Sequence, residues 1–121
     1  MAVSSEFLSY ITDLMADFGD VSTRRMFGGA GIYKSGLMFA LVADDHLYMK
    51  VDDDNRAVFE KEGLKPFLFR TKNGKESAMS YYEIPERALE IQDELVQWAR
   101  LGFEAALRAK SKSPKRPKPK I

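Results

Sequence analysis

No cysteine occurs anywhere in the chain, so neither a disulfide framework nor a cysteine-based zinc site is available to it. That composition suits a reducing cytoplasm. A single histidine, His46, is too few for a histidine metal cage. No apolar run approaches the roughly 20 residues needed to span a bilayer. The N-terminal stretch MAVSSEFLSYITDLMADFGD has no basic leader and carries acids within its apolar part, which excludes a signal peptide. No serine stands in a G-x-S-x-G elbow, so the usual hydrolase nucleophile is missing. These absences describe a soluble, cytoplasmic protein for which no metal, cofactor or membrane contact is expected.

What is present is one domain's worth of chain, 121 residues, enough to bury roughly 65% of its unfolded surface without a covalent or metal staple. The net charge of +1 hides an asymmetry. The last twelve residues, KSKSPKRPKPKI, hold Lys110, Lys112, Lys115, Arg116, Lys118 and Lys120 and no acid. The remaining 13 basic and 18 acidic residues leave residues 1–109 near −5. The expected organisation is a folded domain over 1–109 and a disordered basic tail over 110–121, since the tail's prolines and lack of apolar groups cannot offset the entropy of ordering. Six cations suffice for weak, salt-sensitive, nonspecific contact with nucleic acid. No aromatic residue stands among them to stack on bases, and the acidic domain repels a duplex.

Phe7, Leu8, Ile11, Leu14, Met15 and Phe18 recur at helical spacing, capped by Ser4 or Ser5 and stopped at Gly19. A strand region follows from Val21 to Val51, with tight turns at Ser35-Gly36 and Asp44-Asp45. The nearly all-apolar LMFALV reads as a central strand. In HLYMKV, Leu47, Met49 and Val51 point inward while His46, Tyr48 and Lys50 point away. Asp53 or Asp54 is the expected cap of a short helix ending at Gly63. A second hairpin closes at Asn73-Gly74, which pairs Phe69 with Ala78 and Phe67 with Ser80. Its opposite face then gathers Leu68, Met79 and Tyr81. Pro85 opens the last helical region, with Asp93 as an internal cap and a buried stripe of Ile91, Leu95, Trp98, Ala99, Phe103, Ala106 and Leu107. The order α-β-β-β-β-α-β-β-α predicts an α+β domain, an antiparallel sheet of about six strands in two groups with helices packed on it.

Three places invite a functional reading. In RRMFGGAGIY the glycines suggest a phosphate loop, but Lys34 occupies the third glycine position of G-x-G-x-x-G and a strand follows instead of a helix. Gly28, Gly29 and Gly31 are better explained as a bulge, a positive φ or a close backbone approach. Arg24 and Arg25 must point to opposite faces of a strand; each pairs with an acid or offers an anion or partner contact beside the glycine corner. His46 beside Asp44 and Asp45 has the residue types of an oriented base, but a lone histidine at a hairpin edge is unremarkable. Asp52-Asp53-Asp54 fails the calcium-loop pattern at Arg56 and Ala57, and a helix cap explains it more simply. If helices cover one side of the second hairpin, then Leu68, Met79 and Tyr81, with Tyr48 nearby, form an apolar patch suited to a partner or a second copy; otherwise a helix or loop covers them.

RRMFGGAGIYKSGLMFALVADDHLYMKVDDDN, MSYYEIP and ELVQWAR, in that order, resemble the N-terminal domain of the TfoX (Sxy) competence-regulator family over nearly all of residues 4–108. The resemblance implies an α+β domain linked to natural transformation through transcription, with no catalytic site. Competence regulators of this family carry a second, C-terminal domain, whereas here only the basic tail follows residue 109, as in stand-alone members. The leading expectation is therefore a non-enzymatic module acting by protein contact. A small-molecule or anion-binding domain at the arginine–glycine corner is the alternative, and an enzyme comes third.

Overall fold

The computed structural model describes residues 5–26, 29–70 and 76–112, with positions 26, 69, 70, 76–79 and 112 described by their backbone alone. The elements in chain order are α1 (Ser5–Leu14), β1 (Ser22–Met26), β2 (Gly29–Lys34), β3 (Leu37–Ala43), β4 (His46–Lys50), α2 (Arg56–Lys61), β5 (Pro66–Arg70), β6 (Glu76–Glu83), a 3₁₀ turn (Glu86–Leu89) and α3 (Gln92–Lys112). This is the expected α+β order. The two groups of strands join into one antiparallel sheet of six, ordered β1-β2-β3-β4-β6-β5. The junction is β4 against β6, where Tyr48 faces Glu83, Met49 faces Tyr82 and Lys50 faces Tyr81.

Both early hairpins close on the expected residues. Ser35 and Gly36 have φ of 54° and 79°, and Asp44 and Asp45 have 55° and 60°. Two consecutive left-handed residues are the type I′ turn, whose twist matches that of the flanking strands. Aspartate tolerates this conformation better than most side chains. Gly29 is needed for a different reason, because a Cβ there would lie 2.3 Å from the carbonyl oxygen of Val42. Close backbone approach is thus the explanation of the glycine corner at Gly29; Gly28 lies outside the described residues.

All three helices pack on one side of the sheet. Leu8, Ile11 and Met15 from the α1 region, Phe59 from α2, and Leu95, Trp98, Ala99 and Ala106 from α3 share one core with Ala30, Ile32, Ala40, Val42, Leu47 and Met49 of the strands. The alternation read in HLYMKV holds, with Leu47, Met49 and Val51 almost fully buried. In β3 it breaks. Ile32 pairs with Ala40 but Tyr33 pairs with Met38, leaving Phe39 as an extra residue. This bulge lets neighbouring Phe39 and Ala40 both enter the core. Phe39 packs there with Phe18 and Phe103 at centroid distances of 5.5 and 5.9 Å. Above it α3 passes close to the sheet at Gly102, where a Cβ would come within 2.8 Å of the Phe39 carbonyl oxygen.

Several expectations need correction. The second hairpin pairs Leu68 with Ala78, Phe69 with Ser77 and Arg70 with Glu76, one residue out of the predicted register. Five residues separate the last pair instead of the two of an Asn-Gly turn, and an odd connection slips the register by one; Asn73-Gly74 itself lies outside the described residues. Asn55, not Asp53 or Asp54, is the N-cap position of α2. No side chain caps it; Asp52 Oδ1 instead closes the turn before the helix, accepting the N–H groups of Asp54 and Asn55 at 3.1 and 3.2 Å. Asn55 is buried and donates to the carbonyls of Lys50 and Leu101 at 3.2 and 3.0 Å, tying β4, α2 and α3 together. The last helical region breaks at Glu90–Ile91, so Asp93 sits in the first turn of α3 and not at an internal cap. Ile91 and Leu107, expected in the buried stripe, are exposed. Finally, α3 continues through Lys112, three residues into the segment assigned to the tail; residues 113–121 lie outside the described residues.

Candidate interaction surface on the helix-free face

With the helices on one side, alternation assigns the other side of the sheet to a second set of residues. The strand registers align Arg24, Gly31, Leu41, Tyr48 and Glu83 in one row across β1, β2, β3, β4 and β6. Tyr33, Lys50 and Tyr81 lie one row along. Leu41 and Tyr81 are buried but stand outside the helix-side core, so this face has a smaller apolar cluster of its own. Tyr48 is half-buried and meets Phe67 edge-on, with centroids 5.1 Å apart and planes at 69°, a favourable aromatic geometry.

Charges ring the cluster. The Lys50 ammonium lies 5.3 Å from the centre of the Tyr81 ring and the Arg24 guanidinium 5.9 Å from that of Tyr33, within cation–π range. Burial, with a smaller contribution from the Tyr33 phenol, pushes the Tyr81 hydroxyl up to about 12. The Tyr48 hydroxyl is also raised, first by burial and then by the carboxylates of Glu83 and Asp44. Both phenols are therefore neutral hydrogen-bonding groups at physiological pH. At the far end, His46 Nδ1 and Glu83 Oε2 are 2.7 Å apart. The histidine thus pairs across to β6.

The expected contact residues separate accordingly. Tyr48 is on this face and accessible. Tyr81 is on it too, but only 6% exposed, so it supports the surface from beneath. Leu68 is 52% exposed but follows Phe67 in β5, and alternation turns it to the opposite side. Met79 lies in β6, its side chain outside the described residues. Phe67 and Lys50 join the surface in their place. Lys50 was visible in the HLYMKV alternation, whereas Phe67 was hidden by the register slip. Arg24 and Arg25 do point to opposite faces. Arg24 lies over Tyr33, while Arg25 Nη2 donates to Ser5 Oγ of α1 at 3.2 Å on the helix side. Gly31 is buried between Arg24 and Leu41. Lys110 is exposed at the end of α3, and Lys115, Arg116, Lys118 and Lys120 lie outside the described residues.

Clefts flank the sheet. One, of about 290 Å³, is lined by Ser22, Thr23, Arg24, Tyr33 and Gly36. Another, of about 270 Å³, lies at Lys50, Asp52, Arg56, Ser80 and Arg108. Its charges satisfy one another: Arg108 donates to both Asp52 oxygens at 2.6 and 2.9 Å and holds that carboxyl below the usual range. Among the described residues no cluster of three or more His, Asp or Glu is placed to hold a metal ion, and no helix is long and apolar enough to cross a membrane. The helix-free face thus combines an apolar patch with a charged rim, the composition found at protein interfaces.

Known proteins with similar sequences cover most of the chain. Protein Sxy of Escherichia coli (strain K12) is 26% identical over 99 residues, covering 82% of this chain and 47% of its own length. The DNA transformation protein TfoX1 of Aliivibrio fischeri (strain ATCC 700601 / ES114) is 28% identical over 109 residues, covering 84% of this chain and 50% of its own. The chain thus spans about half the length of these relatives. The TfoX N-terminal domain matches residues 13–106, from the end of α1 to the buried Ala106 of α3, and the chain belongs to that family.

Proposed function

We propose that this chain is a cytoplasmic, non-enzymatic regulatory domain that acts by protein contact in the control of DNA transformation. The observation that carries the reading is the one-sided packing of the helices, which leaves Tyr48 and Phe67 accessible on a face ringed by Arg24, Lys50 and Glu83. A half-exposed aromatic pair on a rigid sheet is the kind of anchor that dominates interface energetics. The name of the Aliivibrio relative, DNA transformation protein TfoX1, supplies the process. The partner is another protein, with a second copy of this chain as the competing possibility.

The test is capture from lysate by the full chain, compared between wild type, Tyr48→Asp, and Val58→Asp on the exposed side of α2. Loss of the captured set with Tyr48→Asp alone is expected; an unchanged set contradicts the surface. Gel filtration across a concentration series separates self-association from a second protein. For the tail, the expectation is nonspecific nucleic-acid contact that weakens steeply with salt and disappears when residues 113–121 are deleted. A salt-insensitive affinity measured by fluorescence anisotropy would refute it.

A further inference from the structure

We infer that β1 is a docking edge for an extended, acidic segment of a partner protein, with Arg24 as the residue that reads its carboxylate. The inference deepens the protein-contact reading above and rests on it. β1 ends the sheet, and among the described residues no strand pairs with its outer edge. Ser22, Thr23, Arg24 and Arg25 are all exposed. A sheet edge presents unpaired backbone N–H and C=O groups, a ready template for strand addition.

Arg24 supplies the specificity. Among the described residues no carboxylate pairs with it, in contrast to Arg56, Arg87 and Arg108, each held by one or more acids. Its guanidinium rests on the Tyr33 ring instead, which limits its freedom while leaving its donor edge available for a bidentate carboxylate bond. The cleft of about 290 Å³ beside it adds the Ser22 and Thr23 positions, whose hydroxyls can complete the coordination of an oxygen acid.

Charge selects the occupant. The basic C-terminal segment is repelled. A second β1 strand pairing antiparallel would set the Arg24–Arg25 doublet against itself, and like charges directly opposite destabilise a ladder. The strand at the other end of the sheet, β5, ends in Arg70 and carries no acid. An acidic strand from a different protein meets none of these penalties. The competing account is that the arginines only guard the edge against aggregation, in which case no acidic sequence is selected.

The experiment pans a displayed library of random decapeptides on the immobilised full chain, on Arg24→Glu and on Tyr48→Asp, with a labelled oligothymidylate as the phosphate arm. Arg24 is exposed, so the reversal leaves the fold intact, and a matched melting temperature verifies this. Wild type should enrich Asp or Glu at one fixed position about tenfold or more. Arg24→Glu should invert the preference to Lys or Arg, and a selected peptide should slow amide exchange in β1. Val58→Asp, on the exposed side of α2 and panned alongside, should leave the selection unchanged. The proposal is overturned by absence of acidic enrichment, by enrichment that survives Arg24→Glu, by protection confined to β4 and β6, or by oligothymidylate binding that alone depends on Arg24. Selection lost with Tyr48→Asp but kept with Arg24→Glu returns the docking to the sheet face, so failure of the edge and failure of the face are told apart.

Discussion

The two faces of the sheet are built from alternate residues of the same strands, yet they differ in kind. On the helix side Ile32, Phe39, Met49 and Phe59 have no exposed surface, and aromatic rings meet from three directions. On the other side a small centre of Leu41 and Tyr81 is buried, and around it Tyr33, Tyr48 and Phe67 are half-buried among Arg24, Lys50 and Glu83. The first face holds nearly all of the apolar burial that stabilises the fold. The second is dry in the middle and partly wet at its rim. On the proposed reading, stability and recognition lie on different faces, so the contact surface can change without unfolding the domain.

That contrast can be broken from the helix side first. Phe59→Ala removes a fully buried ring that packs on Trp98 at 4.9 Å and should cost about 3–5 kcal/mol in urea denaturation. Tyr48→Ala, which loses a half-exposed pair, should cost only about 1 kcal/mol. Equal losses would mean that the two faces share the work of folding. Next in size is Gly29→Ala. Its Cβ would press on the backbone oxygen of Val42 at 2.3 Å, and since neither atom can swing away, about 1–3 kcal/mol of overpacking is expected. A neutral result would remove the close-approach account of the glycine corner.

A smaller effect sharpens the comparison through pH. Arg108 lowers the Asp52 carboxyl, chiefly by hydrogen bonding. A depressed carboxylate contributes stability that is present above its unfolded pKa near 4 and lost as pH falls through the folded value. Asp52→Asn should therefore cost about 1 kcal/mol at neutral pH, discounted for partial exposure, and less as the solution is acidified below about pH 4. An undiminished difference at low pH would show that the Asp52–Arg108 pair is not the source.

Much of this architecture was legible because local chemistry decided it. Ser35-Gly36 and Asp44-Asp45 closed their hairpins, HLYMKV alternated, and adjacent arginines took opposite faces. What could not be read had no local signal. LMFALV is apolar throughout, so nothing in it marks the bulge that turns Phe39 inward. Three consecutive aspartates look equivalent until the Arg108 and Asn55 contacts single out Asp52 as the one that closes the turn before α2. The second hairpin's register depends on connection length, and a slip of one residue exchanged Leu68 for Phe67 on the candidate surface. Tyr81 is buried by neighbours from β4, which sequence order places thirty positions away.

The account turns on whether the helix-free face recognises while the helix face stabilises, and one paired measurement addresses it: melting temperature and partner capture for Tyr48→Asp against wild type. The expected result is a folded protein with a cooperative transition close to that of wild type and a lost captured set. A folded variant that captures the same proteins would contradict the assignment of recognition to this face.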